Sequence, residues 1–217
     1  MRPFGVFGGM FDPIHYGHLR TAHELYELLD FEAIAFVPAG DPPHRAAPLA
    51  DAATRLAMVR AAVADDPRFS VDDREVRRAG PSYTVLTLEE LRAERVEQPI
   101  ALILGMDAFA GLNRWHRAAE LIDLAHLVVA VRPGSQAPRE GLAATLLREH
   151  RCDDPHRLSK AAAGLVYVSV GTQLDVSSSA VRCVVAAGRD PRYLMPEAAR
   201  RIIVARGSYA RPGETKE

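Results

Sequence analysis

A run of glycines, an acid and two histidines near the N-terminus combines residue types suited to phosphate chemistry. Gly8 and Gly9 follow a short apolar segment, and Asp12, His15 and His18 come before a stretch with helical periodicity. Glycines let the backbone approach a phosphate closely, and the first N–H groups of a helix attract an anion. Histidines three positions apart share one face of a helix, so both rings could address one transferring phosphoryl group. The alternative is a capped helix whose histidines only pack.

A second polar run, far along the chain, has the same character. Ser177, Ser178 and Ser179 precede a helical segment that contains Arg182. Serines at a helix start offer hydroxyls and free N–H groups to a phosphate, and an arginine adds positive charge. Taken alone, this pattern is typical of an ordinary N-cap.

Two further segments offer contacts to an anion. Ser82, Tyr83 and Thr84 stand at the predicted start of a helix, where a carboxylate could bind, and the proline-rich stretch before position 50 contains Arg45. The alternatives are a plain helix cap and a stiff turn with a solvated arginine.

Candidate residues also follow two predicted strands in the middle of the chain. Gly105 and Asp107 end one strand, with Trp115 soon after, and Arg132 ends the next. The only tryptophan offers a flat face to an electron-poor ring, and the Asp107 carboxylate could accept hydrogen bonds from a ribose. A core tryptophan and a surface arginine are the alternatives.

The elements that must position these residues alternate between strand and helix. Apolar runs predict strands at 4–7, 33–37, 69–72, 100–104, 127–131 and 165–170. Helical periodicity or capping predicts helices at 17–29, from Asp51, at 82–91, within 115–124, from 177 and at 196–205. This order predicts an α/β fold with a doubly wound, mostly parallel sheet flanked by helices, in which ligands bind at the carboxyl ends of the strands. We expect a single domain over 1–206, with a helical C-terminal part from about 177, and a polar, disordered tail at 207–217.

Composition narrows the class of protein. The chain has 217 residues, 48% of them hydrophobic, and a formal net charge of −1, which disfavours an extended nucleic-acid surface. The N-terminus lacks the apolar region of a signal peptide and no apolar run is long enough to span a bilayer, so we expect a cytoplasmic protein without a membrane partner. Cys152 and Cys183 are expected to be free thiols, and the other histidines have no metal-site spacing.

The two phosphate runs together resemble a known superfamily. The segment from Gly8 to His18 resembles the GGxFDPxHxGH signature of the HxGH nucleotidyltransferases, and 176–182 resembles their ISSTxxR motif, with Ser179 in place of the commoner threonine. The resemblance implies the Rossmann-like nucleotidyltransferase fold, with His15 and His18 as catalytic residues. It also implies an ATP site formed by Gly8, Gly9, Phe11, His15, His18, Gly105, Asp107, Ser177, Ser178, Ser179 and Arg182.

Three softer segments resemble the bacterial nicotinate-nucleotide adenylyltransferases. The stretches 42–45, 81–87 and 105–115 resemble the PPHK, PSYTxxT and GxDxxxxLxxW motifs of that family, with Arg45 where lysine is usual. The resemblance implies transfer of AMP from ATP to nicotinic acid mononucleotide, giving nicotinic acid adenine dinucleotide and pyrophosphate in NAD biosynthesis. Mg²⁺ would be held mainly by the ATP phosphates and not by a protein metal site. The implied mononucleotide contacts are Asp12, Arg45, Ser82, Tyr83, Thr84, Trp115 and Arg132.

Other functions stay open at this stage. The chain could be another HxGH transferase, such as a phosphopantetheine adenylyltransferase or a cytidylyltransferase, or an enzyme that prefers nicotinamide mononucleotide. A non-catalytic nucleotide sensor with the same fold is the alternative from another class. The sequence does not indicate an oligomeric state.

Overall fold

Seven parallel strands form one sheet in the computed structural model, which describes residues 1–41, 47–131, 134–172 and 174–210. Along the chain the strands are β1 (Phe4–Gly9), β2 (Ala33–Pro38), β3 (Phe69–Val71), β4 (Ile100–Gly105), β5 (His126–Ala130), β6 (Arg151–Cys152) and β7 (Val166–Ser169). Their order across the sheet is β3-β2-β1-β4-β5-β7-β6, and every neighbouring pair is parallel. The order reverses between β1 and β4, which makes their carboxyl ends the switch point where ligands bind in such sheets.

Helices lie between the strands and after them. They are α1 (Tyr16–Leu28), α2 (Ala52–Val63), α3 (Arg74–Arg77), α4 (Thr84–Glu94), α5 (Met106–Ala110), α6 (Leu121–Leu124), α7 (Gly141–His150), α8 (Ser178–Ala186) and α9 (Glu197–Arg206). Short 3-10 turns cover Leu112–Arg114, Ala118–Glu120 and Pro155–Lys160. In the described ranges, none of the helices combines the length and the apolar character needed to cross a bilayer.

Apolar side chains pack on both faces of the sheet. Val6 and Leu102 belong to one buried cluster, whereas their neighbours Phe7 and Ile103 belong to another on the opposite face. Successive residues of a strand point to opposite faces, so a strand covered on both sides must be apolar throughout. This explains the uninterrupted run in β4, where residues 100–104 are all buried. The predicted doubly wound parallel sheet is confirmed.

Several other predictions can be compared with the structure. Asp51 is the N-cap of α2, as predicted, and its carboxylate accepts the N–H of Thr54 at 2.6 Å. Both cysteines are free, Cys152 being buried and Cys183 exposed. The segment 135–163, for which no element was predicted, contains α7 and β6.

Two predicted helices are shorter than expected. The helical material predicted within 115–124 is present as a 3-10 turn at Ala118–Glu120 followed by α6, and it begins only after the extended Trp115 and the left-handed Arg117, which has φ of 50°. The helix predicted from Ser82 begins at Thr84, with Tyr83 as its N-cap, so Ser82 is not a helix cap.

The C-terminal stretch is partly ordered against the fold. Gly207 ends α9 with φ of 61°, and Tyr209 packs against the core cluster that contains Phe11. Residues 211–217 of the expected tail lie outside the described part of the chain.

Candidate functional site

A cavity of about 480 Å³ opens at the carboxyl ends of β1 and β4, at the switch point. Its walls come from the loop after β1, the start of α1, the start of α5, residues 47–49 and the start of α8. It brings together every residue that the sequence predicted for ATP: Gly8, Gly9, Phe11, His15, His18, Gly105, Asp107, Ser177, Ser178, Ser179 and Arg182.

The two histidines are fixed by the start of α1. His15 is the N-cap residue and is 1% exposed, and its ring stacks on that of His18 with centroids 3.8 Å apart. The backbone N–H of His15 donates to Nδ1 of His18 at 3.3 Å. Because Nδ1 accepts this hydrogen bond, a neutral His18 carries its proton on Nε2.

Small and aromatic neighbours explain why the signature needs its other residues. A Cβ on Gly17 would lie 2.9 Å from the ring of His15, so only glycine leaves that ring its place. Phe11, at φ of 46°, presents its ring edge-on to His18 at 5.1 Å. A Cβ on Gly9 would approach the Phe11 ring to 3.0 Å. The glycines therefore allow close packing around the histidines.

The start of α8 is attached directly to the loop after β1. Ser177 caps α8 by accepting the N–H of Ala180 at 3.1 Å, and the Ser178 hydroxyl donates to the carbonyl of Pro13 at 2.9 Å. Arg182 donates to the carbonyl of Asp12 at 2.7 Å and to the Ser179 hydroxyl at 3.1 Å. Two helix N-termini thus meet at one cavity, and both favour a bound anion.

A smaller cavity of about 90 Å³ adjoins the first. Both cavities are lined by Gly8, Gly9, Met10, Gly105 and Ala108, so they meet over the ends of β1 and β4. Among the residues predicted for the mononucleotide, the smaller cavity is lined by Ser82, Thr84 and Trp115.

Two other mononucleotide candidates, Tyr83 and Asp12, do not line that smaller cavity. Tyr83 stacks on His116, with ring centroids 4.3 Å apart, and is not among the residues that line it. Asp12 belongs to the larger cavity. Arg45, with the rest of 42–46, and Arg132 lie outside the described residues.

Ser82 supports the segment that follows β2. Its hydroxyl accepts the N–H groups of Gly40 at 2.9 Å and Asp41 at 3.1 Å, and its own N–H donates to the Asp41 carbonyl. The side chain is 5% exposed. Ser82 therefore fixes one end of the segment between β2 and α2.

Glu75 is a residue of the smaller cavity that the sequence did not single out. It is 7% exposed and accepts a hydrogen bond from the Thr87 hydroxyl at 2.7 Å. Burial raises the pKa of this carboxyl, against the opposing effects of Thr87 and the nearby Arg78 charge. It stands in a run of charged residues at 72–78, so its type and spacing gave no sign of burial.

Arg55 was also missed, although it is completely buried in α2. Its guanidinium donates to the carbonyls of Met10 at 2.8 Å, Gly40 at 3.1 Å and Ala50 at 3.2 Å. Burial lowers the pKa of this guanidinium, and the charge of Asp12 opposes that effect. One side chain thus joins the loop after β1 to both ends of the segment between β2 and α2. Helical periodicity alone gives no sign of such a role.

Asp12 is occupied by contacts within the chain. Its carboxylate accepts the N–H groups of Leu49 at 2.9 Å and Ala50 at 3.1 Å and the hydroxyl of Tyr209 at 2.7 Å, and the residue is 6% exposed. Within the described ranges, no group of three or more His, Cys, Asp or Glu side chains is arranged to hold a metal ion. Asp107, which also lines the larger cavity, is exposed.

Sequence comparison finds many relatives of the chain. The profile of the cytidylyltransferase-like family matches residues 6–184. A protein of Acidithiobacillus ferrooxidans named probable nicotinate-nucleotide adenylyltransferase is 44% identical over 209 residues, covering 95% of each chain. One of the same name from Halorhodospira halophila is also 44% identical, covering 98% of this chain and 97% of its own.

Solved structures share the fold at lower sequence identity. A nicotinic acid mononucleotide adenylyltransferase of Plasmodium falciparum, solved with NaAD, superposes with a TM-score of 0.71 at 16% identity, covering 96% of this chain and 98% of its own. The same enzyme solved with APC gives a TM-score of 0.68. These similarities agree with the topology described above.

Proposed function

The chain belongs to the cytidylyltransferase-like family and, within it, to the nicotinate-nucleotide adenylyltransferases, and we propose from this that it transfers AMP from ATP to nicotinic acid mononucleotide. The products are nicotinic acid adenine dinucleotide and pyrophosphate, and the reaction belongs to NAD biosynthesis. One observation supports this most directly: two unlike cavities meet at the switch point of the sheet. The larger has histidines and helix N-termini, and the smaller has a tryptophan face.

The reaction needs no covalent enzyme intermediate. A phosphate oxygen of the mononucleotide attacks the α-phosphorus of ATP, the new P–O bond forms, and the bond to the β-phosphate oxygen breaks, releasing pyrophosphate. The protein has to position two polyanions and stabilise the charge that develops. In this proposal Nε2 of His18 donates to the transferring phosphoryl group. His15, which is buried beneath His18, holds that ring in place and adds a second imidazole to the same site.

The triphosphate occupies the larger cavity. The N–H groups at the starts of α1 and α8, including that of Ser178, and the hydroxyls of Ser177 and Ser179 face anionic oxygens there, and Arg182 adds positive charge. Mg²⁺ enters with ATP as part of the substrate, because this hard cation prefers phosphate oxygens and water and supplies charge neutralisation. Asp107 is the carboxylate placed to hold a ribose hydroxyl or a water of that ion.

The pyridine ring occupies the smaller cavity. Trp115 offers a stacking face, and the N-terminus of α4 at Thr84 offers N–H groups to the nicotinate carboxylate. Arg45 and Arg132 remain proposed contacts to the mononucleotide phosphate. Residues 1–206 then form one catalytic domain. The two free thiols favour a reducing compartment such as the cytoplasm.

Pyrophosphate release tests the proposal directly. The full chain is supplied with ATP, Mg²⁺ and one acceptor: nicotinic acid mononucleotide, nicotinamide mononucleotide or phosphopantetheine. We expect strong release with the acid mononucleotide and much weaker release with the amide, because the amide lacks the anion that the α4 N-terminus favours. Preference for the amide would refute the proposed carboxylate recognition. Release with phosphopantetheine alone would assign a different transferase activity to the same fold.

The same assay on Trp115→Leu separates the two cavities. Loss of the stacking face should raise the KM for the mononucleotide and leave the KM for ATP nearly unchanged. Leu124→Ala, a change in the same region of the fold away from both cavities, controls for general loosening.

A further inference from the structure

The chain beyond α9 returns to the candidate site. Gly207, in the left-handed region, ends the helix, and Tyr209 then places its hydroxyl 2.7 Å from Oδ1 of Asp12, to which it donates. Burial and the Asp12 carboxylate together raise the pKa of Tyr209 above its ordinary value, so the hydroxyl stays protonated. A second contact, from Arg206 to the Thr54 hydroxyl at 2.6 Å, attaches the same segment to α2.

Asp12 is the junction that this hydroxyl reaches. Oδ1 also accepts the N–H of Ala50, and Oδ2 accepts that of Leu49, while the main-chain carbonyl of Asp12 accepts from Arg182. A buried carboxylate with several donors is held in one position. Tyr209 therefore braces the group that fixes residues 49–50 to the loop after β1.

The segment held in this way borders the site. Ala47, Pro48 and Leu49 line the larger cavity, and the other end of the same segment, at Gly40, is held by Ser82 from the smaller cavity. Through its carbonyl Asp12 also accepts a hydrogen bond from Arg182 of α8, so the braced residue contacts two walls of the larger cavity. By contrast, residues 47–50 do not line the smaller cavity.

We propose that Tyr209 is a positioning residue for the reaction, which acts through Asp12 to fix residues 47–50 in the wall of the larger cavity, where the triphosphate binds. Asp12 then serves the site through the segment that it holds and not by direct contact with a substrate. The inference rests on the proposed function, because it assigns the effect to one of the two substrates. It makes the C-terminal segment a working part of the site.

The variant Tyr209→Phe removes only the hydroxyl. The ring, which packs against the core cluster, remains. Tyr193→Phe is the matched control, since that tyrosine has the same φ of 68° but is 85% exposed. Thermal melting of both variants establishes that each is folded before kinetics are compared.

We expect Tyr209→Phe to raise the KM for ATP by about three- to tenfold, on the scale of one ordinary hydrogen bond, with the KM for nicotinic acid mononucleotide changed less than twofold. Tyr193→Phe should match the parent chain. A proportionate change in both KM values, or no change in either, would overturn the positioning role.

Hydrogen exchange gives a readout that needs no substrate. The amides of Leu49 and Ala50 should exchange faster in Tyr209→Phe than in the parent chain. In Tyr193→Phe they should exchange at the same rate as in the parent chain. Unchanged exchange at both amides overturns the proposed brace, and faster exchange with an unchanged KM for ATP overturns its role in binding. A failure of the proposed function is distinguishable, because it appears as absent turnover in the unsubstituted chain while the exchange result still stands.

Discussion

A Cβ built on Gly17 would lie 2.9 Å from both Nδ1 and Cε1 of His15, and 3.1 Å from the carbonyl of Val176. The absence of a side chain at Gly17 therefore leaves room for the His15 ring. The stacking of His15 on His18 depends on the same room. Gly17 lies in the first turn of α1 and also faces the segment that leads into α8. The spacing of the histidines works only with this residue between them.

Gly17→Ala should for this reason behave unlike an ordinary substitution in a helix. Alanine normally stabilises a helix over glycine by about 1 kcal/mol. Here we expect no gain in the free energy of unfolding and a fall in kcat of about a hundredfold, because a displacement near 1 Å can cost that much. Gly111→Ala is the control, since the nearest atom there is the movable tip of Arg114. Equal kinetics for the two variants would contradict this explanation.

Substitutions of His18 should separate capping from catalysis. His18→Asn keeps an acceptor for the N–H of His15 but loses the Nε2 donor, whereas His18→Ala loses both. We expect both variants to lose about 10²–10³ in kcat, as for one preorganised donor. Only the alanine variant should also lower the melting temperature. A near-normal turnover rate in His18→Asn would remove His18 from the proposed mechanism.

Arg55 should be essential for stability in a way that lysine cannot replace. The guanidinium reaches three carbonyls from a fully buried position, and a single ammonium lacks that planar fork. Arg55→Lys should lower the free energy of unfolding by about 2 kcal/mol or more, since each unsatisfied buried carbonyl costs ~1–3 kcal/mol. Denaturant titration measures this, with Arg60→Lys on the exposed face of α2 as the control. Equal losses of unfolding free energy in the two variants would argue against this role of the Arg55 guanidinium.

Glu75 should make the protein less stable as the pH rises. Its folded pKa lies above the ordinary value of 4.5, so the folded chain holds this proton more tightly than the unfolded chain. The stability that this provides is present below pH 4.5 and is lost as the pH rises through the folded pKa. Glu75→Gln, which keeps an acceptor for Thr87, should therefore gain stability relative to the parent as the pH rises from 4.5 to 8. A difference that stays constant with pH would contradict the prediction.

His126 should make the protein less stable as the pH falls, which is the opposite of the effect of Glu75. It is completely buried, its Nε2 lies 2.8 Å from the Ala161 carbonyl, and its Nδ1 accepts the N–H of Leu165 at 3.2 Å. Burial holds its pKa below the ordinary 6.5, so the folded chain resists protonation. Stability should fall as the pH drops below 6.5, at up to ~1.4 kcal/mol per pH unit until the folded pKa is reached. His126→Gln should flatten this slope, whereas the exposed His156→Gln should not.

The sequence by itself determined the alternation of elements and the place of the chemistry. Continuous apolar runs such as that of β4 predict strands buried on both faces, because a solvated face would require alternate polar residues. Glycines and histidines directly after β1 then fall at the carboxyl edge of the sheet, where ligands bind. Local rules suffice for these features, since they depend on residues within a few positions of one another.

Only the tertiary structure decided which distant groups support that edge. The pairings of Tyr209 with Asp12 and of Arg55 with Met10 join residues far apart in sequence, and neither periodicity nor capping predicts such partners. The Ser82 hydroxyl likewise lies next to Gly40 and not over its own helix. The burial of Glu75 and Arg55 also follows from tertiary packing. The sequence alone does not show which charged side chains will be buried, since most of them are exposed.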